Sequence, residues 1–254
     1  LLIGVSGDFD ERSLIAKLES LFRGWPACRP GLRPIPPLQI AQGPRTVLIE
    51  KDVNQTNIRM GHAGGLLIAN TPDYFAAEVA DFLLGGGGGF NSRLLQRVRS
   101  DSGFAYSVFS SWGADTRRED LFFAGAQVRA EKTVAGVSLM RQIIASMATE
   151  PVTPRDVKLA QDNEVNSFVF QFENPGQIVT TQLGYAIGGL PANWFDLYLK
   201  GIQAVTPAQV ADVSRRYLHA DQLVTVVVGK PGAFDKPLDT LGPVIVMPVD
   251  SIHR

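Results

Sequence analysis

The order in which strand-like and helix-like patterns follow one another constrains the fold of this chain most. Strand-like apolar stretches occur in neighbouring groups, and stretches with apolar residues at helical spacing follow them. The strand patterns cover Arg45–Lys51, Asn57–Gly61, Phe104–Trp112, Leu121–Ala130 and Leu223–Val228, and the helical patterns begin near Thr71, Asn91, Lys132, Thr153 and Thr206. Strand pairs followed by groups of helices predict an α+β fold, a two-layer sandwich in which helices cover a largely antiparallel sheet.

Three helix starts carry N-cap signals. Thr71, Thr153 and Thr206 each precede a proline, which favours the first helical position. Asp156 stands three residues after Thr153, the spacing of a capping box. The first of these helices is predicted to stop at the glycine run 85–89, because glycine disfavours helix interiors.

A proline-rich segment, residues 26–42, predicts a linker, because proline disfavours the interiors of helices and sheets. We expect residues 1–25 to be the C-terminal end of a preceding homologous domain and residues 43–254 to form a second domain. The apolar start, LLIGV, predicts a buried strand that leads into a helix capped by Asp8 or Asp10 and ended by Gly24. This opening is similar to residues 223–238, which suggests an internal repeat.

The composition argues against several classes of protein. The 254 residues carry a formal net charge of −1, which gives no support for nucleic-acid binding. The single Cys28 cannot form an internal disulfide, and no apolar run approaches the about 20 residues of a membrane-spanning helix. The histidines, His62, His219 and His253, lie too far apart in sequence for zinc-ligand spacing. We expect no metal or other cofactor bound by this chain alone.

The glycine run at 85–89, followed by Phe90-Asn91-Ser92-Arg93, invites comparison with a phosphate-binding loop. It lacks the Lys-Ser/Thr ending of that loop and follows a helix rather than a strand, which argues against nucleotide binding. A flexible connection between helices is the simpler interpretation, because glycine adopts conformations that other residues cannot. Exposed backbone groups that meet an extended peptide are the alternative.

Arg93, Arg97 and Arg99 lie on or near one short predicted helix. A solvated basic face is the ordinary explanation. However, a turn ending at Gly103 follows this helix, and Tyr106 comes next on a predicted strand. This order can bring the guanidinium of Arg99 and the phenol of Tyr106 to the same edge of the sheet. A guanidinium can bind a peptide carbonyl and a phenol can donate to an oxyanion, so the pair is a candidate site.

His62, Ser107 and Ser110 fall on predicted strands without identifiable chemical partners. No Gly-x-Ser-x-Gly turn is present, and neither serine has a recognisable base. We interpret all three as structural residues.

The strings GGGFNSRLLQRVR at residues 87–99 and GFAYSV at 103–108 resemble the signature of the M16 (pitrilysin-like, inverzincin) peptidase family, in the half that binds no zinc. Flanking segments resemble the family in the same order. VSGDFD at 5–10 is similar to the end of the first half, MGHAG at 60–64 and TPDYFA at 71–76 to the segment before the signature, and VVVGKPGAF at 226–234 to the end of the second half.

The resemblance implies two homologous α+β halves, or two subunits, that close around a peptide. The catalytic half holds zinc through His-x-x-Glu-His and a distal Glu, a motif absent from these 254 residues. The other half supplies Arg99 and Tyr106 to the substrate and transition state, and Gly87, Gly88 and Gly89 for substrate binding. The implied partners are a zinc-binding half or subunit and a peptide substrate, and a homo-oligomer stays open.

A second interpretation is a structural or docking subunit that keeps the M16 fold without a peptidase role, as in relatives that are scaffold proteins of respiratory complexes. The presence of both Arg99 and Tyr106 favours the peptidase half. The compartment stays open between the bacterial periplasm and the cytoplasm.

Overall fold

The computed structural model describes residues 1–26, 35–36, 43–68, 72–87 and 92–249, apart from the side chains of Val169 and Gln171. The strands are β1 (Arg45–Glu50), β2 (Gln55–Ala63), β3 (Ala105–Ala114), β4 (Glu119–Arg129), β5 (Val224–Gly229) and β6 (Val244–Val246). The α-helices are α1 (Glu11–Leu21), α2 (Pro72–Asp81), α3 (Thr133–Thr149), α4 (Pro154–Phe168), α5 (Pro175–Gly188), α6 (Trp194–Ala204) and α7 (Pro207–Tyr217). Two π-helical segments, Phe82–Gly86 and Leu95–Asp101, flank the glycine run.

One six-stranded sheet, in the order β3-β4-β2-β5-β1-β6, organises these elements. β4 pairs antiparallel with β3 and with β2, and β2 pairs antiparallel with β5. β1 pairs in parallel with both β5 and β6. Helices α2, α3 and α7 lie over one face of the sheet, where α7 contacts both α2 and α3. The predicted α+β sandwich with a largely antiparallel sheet is confirmed.

The core lies between the sheet and these helices. Ile58 on β2 and Phe122 on β4 are 0% exposed, and their neighbours in each strand alternate toward the other face. From α3, Met140 and Ile144 are also 0% exposed, which confirms the apolar stripe that the helical spacing predicts. Each side chain of this kind stabilises the fold by about 1.5–3 kcal/mol through burial.

The predicted capping signals at α4 and α7 are confirmed. The Thr153 hydroxyl accepts the Asp156 backbone N–H at 3.1 Å, and the Asp156 carboxylate accepts the Thr153 N–H at 3.0 Å. Thr206 and Gln209 form the same reciprocal pair at the start of α7. Thr71 lies outside the described residues.

The prediction of a buried strand at the start of the chain is wrong. Residues 1–6 form no strand, and Leu1, Leu2 and Ile3 are 85%, 55% and 47% exposed. The segment runs against α5, where a Cβ on Gly4 would contact the side chain of Leu183. Apolar residues predict a strand only where a neighbouring strand can pair with them, and the described sheet offers none here. The α1 cap at Asp10 and the left-handed Gly24, with φ of +88°, are confirmed.

The helix before the glycine run ends within that run, as predicted, because α2 continues as a π-helix only through Gly86. Helices α5 and α6 and the short strand β6 were not predicted, although α6 buries Trp194, Tyr198 and Ile202 at the four-residue spacing of one helical face. α5 buries no residue, which explains its weak signal.

Candidate functional site

The Arg99–Tyr106 corner joins the π-helix Leu95–Asp101 to the edge strand β3. Val98 is 0% exposed and anchors the helix in the core, so Arg99 beside it faces outward. Gly103 reverses the chain with φ of +62°, a left-handed conformation that glycine adopts readily. The Phe104 N–H then donates to the Val98 carbonyl at 3.0 Å, which closes the turn.

A β-bulge at the start of β3 turns Tyr106 outward. Ala105 lies opposite Val128 and Ser107 lies opposite Gln127, so Tyr106 between them has no partner on β4. An extra residue of this kind bends the strand and redirects its side chain. Tyr106 is accordingly 73% exposed.

The structure brings the two predicted side chains together. The Arg99 Cζ lies 5.3 Å from the centroid of the Tyr106 ring, within the range of a cation–π contact. Both side chains are exposed, and neither the guanidinium nor the hydroxyl forms a hydrogen bond with the described residues. The predicted proximity is confirmed, and the pair presents several hydrogen-bond donors to solvent.

The other two arginines of the signature have structural partners. Arg93 donates to the Ser146 carbonyl and the Pro151 carbonyl, each at 3.1 Å, at the C-terminal end of α3. Arg97 forms an ion pair of 3.4 Å with Glu150 in the same region. A solvated basic face is therefore the wrong interpretation for Arg93, which ties the short helix to α3, whereas Arg97 remains a partly exposed arginine with a surface ion pair.

In the described part of the glycine run, a larger side chain would clash with neighbouring atoms. A Cβ on Gly85 would lie 2.7 Å from the Ser110 backbone nitrogen on β3. Gly87 is exposed next to the ring of Phe82. Gly88 and Gly89, the other predicted substrate-binding glycines, lie outside the described residues.

His62 is a structural histidine, as its isolation in the sequence predicts. It is 4% exposed; its Nδ1 lies 2.6 Å from the Ala63 carbonyl, and its Nε2 accepts the His219 backbone N–H at 3.1 Å. These contacts identify Nδ1 as the protonated nitrogen of a neutral ring. Burial lowers the pKa of His62, which favours that neutral form.

Ser110 does have a carboxylate partner, contrary to the prediction. Its hydroxyl donates to Asp81 Oδ1 at 2.6 Å, and the residue is 4% exposed. Burial raises the pKa of Asp81 to about 6, while the Ser110 hydrogen bond opposes that rise. Because Ser110 is closed off from solvent, the pair serves the fold rather than a nucleophile.

Sequence reasoning missed a cavity of about 640 Å³ between α2, α4, α5, α6 and the β3–β4 turn. We call it the acid cavity, because Glu78 and Glu164 line it. Other residues of its lining include Tyr74, Asp115, Arg117, Phe168, Tyr185, Trp194 and Tyr198. Tyr74 stands one helical turn before Glu78, a spacing that was visible in the sequence.

The two carboxyls are held by phenols. The Tyr198 hydroxyl donates to Glu164 Oε2 at 3.2 Å, and the Tyr74 phenol interacts with Glu78, four residues further along α2. Burial raises the pKa of Glu78 to about 8, with smaller contributions from the negative charges of Glu164 and Asp81. Burial also raises the pKa of Glu164.

The face of the sheet away from the helices is partly apolar. Phe109 on β3 and Phe123 on β4 meet edge to face, with ring centroids 5.9 Å apart. The Arg59 Cζ lies 4.9 Å from the Phe109 centroid. Phe123 is 39% exposed, so this face, which we call the open face, offers aromatic surface to a ligand. Tyr106 lies at the start of the same edge strand.

The described residues contain no group of three or more His, Cys, Asp or Glu side chains that could hold a metal ion. Within the described ranges, each helix is too short or too polar to cross a bilayer.

Some proteins similar to this chain are named as zinc proteases, and one is named as a non-peptidase homologue. It is 27% identical over 243 residues to an uncharacterized zinc protease of Streptomyces coelicolor, covering 89% of this chain and 50% of that protein. It is 25% identical over 157 residues to a non-peptidase homologue of Helicobacter pylori, covering 61% of this chain and 35% of that protein. The chain therefore spans half or less of the length of these relatives.

A crystal structure and a family model agree on the fold. The peptidase M16 inactive domain from Pseudomonas fluorescens matches with a TM-score of 0.69 at 27% identity, covering 80% of this chain and 47% of that one. Residues 2–164 match the family model of the peptidase M16 inactive domain. Since that match covers more than half of the sequence, the chain belongs to the peptidase M16 family and represents its inactive domain.

Proposed function

We propose that this chain is the non-catalytic half of an M16-type zinc metallopeptidase. It forms one wall of the substrate chamber, and Arg99 and Tyr106 bind the peptide and stabilise the oxyanion. The zinc belongs to a homologous partner half or subunit, where it supplies the activated water. Residues 43–254 form the inactive domain, residues 26–42 the linker, and residues 1–25 the end of the preceding homologous domain.

One observation supports the proposal: two exposed donor side chains meet at a corner formed by a left-handed turn and a β-bulge. The left-handed Gly103 and the bulge at Tyr106 both turn side chains toward solvent at a local cost in backbone regularity. Arg93 and Arg97 bind carbonyl and carboxylate partners, whereas Arg99 is left for a ligand outside the described residues.

The chemistry follows from the two donor types. As water attacks a peptide carbonyl, negative charge develops on the carbonyl oxygen, and a phenol O–H directed at it stabilises the transition state. The planar guanidinium of Arg99 binds a second backbone carbonyl and fixes the peptide in position. The open face, with Phe109 and Phe123, supplies the apolar wall along which the peptide lies. Gly87, Gly88 and Gly89 contribute backbone groups to the same peptide.

The test uses the complete enzyme, with the zinc-binding half present. We expect Tyr106→Phe to lower kcat by a factor of about 100 to 1,000, because the oxyanion loses a donor. Arg99→Ala should chiefly raise KM, because it removes a contact to the bound peptide. Arg97→Ala is the matched control, since it removes a neighbouring guanidinium that pairs with Glu150. Near-normal cleavage by both variants would refute the assigned roles.

The second candidate function is a docking subunit without peptidase activity, which the Helicobacter pylori relative named as a non-peptidase homologue favours. The two candidates differ in what accompanies the chain. A His-x-x-Glu-His motif and a distal Glu in the same protein or in a co-purifying subunit support the peptidase. Zinc-free complexes without that motif support the docking role.

A further inference from the structure

The acid cavity is unusual in its charges. Within the described residues, no Lys, Arg or His forms a salt bridge with Glu78, Asp81 or Glu164. Buried carboxyls normally have a cationic partner or a metal. Here phenols are the partners of Glu78 and Glu164, and each phenol donates only one hydrogen bond. Asp81 lies outside the lining and accepts the Ser110 hydroxyl and the Trp112 backbone N–H. The carboxyl oxygens therefore keep lone pairs for a ligand.

The wall beside these carboxyls is aromatic. The rings of Phe168 and Tyr198 stack with centroids 4.4 Å apart, and the rings of Tyr74 and Trp194 lie 6.3 Å apart. Aromatic faces attract organic cations, most strongly where water is excluded. A volume of about 640 Å³ is within the range of small-molecule sites and holds an amino-acid side chain or a diamine with ease.

Glu78 and Glu164 have further polar neighbours on every side of the cavity. These are Tyr74 and Asp81 on α2, Tyr185 on α5, Tyr198 on α6, and Asp115 and Arg117 on the β3–β4 turn. Acidic groups outnumber the one basic residue of the described lining, so the cavity favours a positive ligand. A metal ion suits it poorly, because no group of three metal-ligating side chains converges within the described residues.

We propose that the acid cavity is a binding site for an organic cation, an alkylguanidinium or alkylammonium group, whose charged head lies between Glu78 and Glu164 and whose alkyl chain lies along the aromatic wall. This site is built by elements other than the Arg99–Tyr106 corner, and it goes beyond the proposed peptidase function. Its ligand is either a free small molecule or the basic side chain of a peptide.

Cation binding is coupled to proton release. Since Glu78 has a raised pKa of about 8, it holds its proton near neutral pH and releases it when a cation enters. Affinity is therefore expected to rise at least about tenfold between about pH 6 and about pH 8.

The test is calorimetric titration of the chain with three probes. Agmatine represents a free guanidinium, N-acetyl-argininamide represents a peptide side chain, and N-acetyl-norleucinamide is the uncharged control. We expect both cations to bind and the control not to bind. Glu78→Gln and Glu164→Gln should each weaken cation binding about tenfold or more, because a charge-assisted hydrogen bond is lost. Glu173→Gln, on an exposed residue outside the lining, should leave it unchanged.

The outcomes are separable from those of the peptidase test. A preference for agmatine or for N-acetyl-argininamide supports the site and identifies the carrier of the cation. Equal binding of the norleucine control, no binding of either cation, or binding unaffected by both cavity variants overturns the proposal. Since glutamine resembles a protonated glutamate in size and hydrogen bonding, both variants should fold, and thermal melting verifies this.

Discussion

At the Arg99–Tyr106 corner two polar side chains face solvent beside an edge strand, whereas at the acid cavity two half-buried carboxyls line a cleft between four helices and a turn. The corner is assembled from residues close together in the chain. The cavity is assembled from helices that are distant in sequence. From this difference we expect the exposed corner to meet a second protein half and the cleft to take a small charged group.

The difference also predicts opposite responses to mutation. Arg99 and Tyr106 are exposed and share one surface cation–π contact, so changes at either should affect turnover and leave the free energy of unfolding within about 0.5 kcal/mol. Carboxyls with a raised pKa bind protons more tightly in the folded state than in the unfolded state, so changes at Glu78 and Glu164 should affect the free energy of unfolding and its pH dependence.

The largest expected effect on stability is pH-dependent and belongs to the cavity. Glu78 has its pKa raised from 4.5 to about 8, so the folded chain keeps a proton that the unfolded chain loses. The contribution of Glu78 to the free energy of unfolding should therefore be largest at low pH. It should fall as the pH rises toward 8, by up to about 1.4 kcal/mol per pH unit. Asp81, with its pKa raised to about 6, adds to the fall at lower pH.

Glu78→Gln tests this assignment, because glutamine cannot ionise. Urea unfolding at about pH 5 and about pH 8 should show a smaller loss of stability in the variant than in the natural chain. Glu173→Gln, which alters an exposed acid, is the control. Identical losses in the natural chain and the Glu78 variant would mean that this carboxyl is not buried in the protonated form.

A smaller effect is expected at the corner, where Gly103 adopts φ of +62°. Nothing lies within 4 Å of a Cβ built there, so any cost of substitution comes from the backbone conformation. Gly103→Val should destabilise the chain by about 1–2 kcal/mol, and Gly103→Asn by less, because asparagine tolerates the left-handed region. Denaturant unfolding of the two variants gives the comparison. Equal costs would show that the turn relaxes and does not hold Tyr106 in place.

The corner was predictable because its determinants are local. A helix end, a glycine and a strand follow one another within a few residues, and their order alone places Arg99 beside Tyr106. The partners of Arg93 and Arg97 were not predictable, because they come from the far end of α3. Local order therefore predicts which side chains meet across a turn but not which of them the rest of the fold binds.

The cavity was not predictable, although parts of its signal were present. Tyr74 and Glu78 share one face of α2, but Glu164 and Tyr198 reach them only through tertiary packing. α5, which closes one side, has a full capping box at Asn174 and Gln177, and this local signal could have predicted the helix despite its lack of buried residues. The opening segment shows the converse, since apolar residues without a pairing strand did not form one.

We propose that Tyr106 donates to the oxyanion of a peptide bound by the zinc half, and a comparison of the affinities for two ligands tests this role. A phosphinic peptide imitates the tetrahedral transition state, whereas the corresponding substrate imitates the ground state. In the complete enzyme, Tyr106→Phe should weaken the binding of the phosphinic peptide by a factor of about 100 to 1,000 and should weaken the binding of the substrate only slightly. Equal weakening of the two, or none of either, would contradict the account.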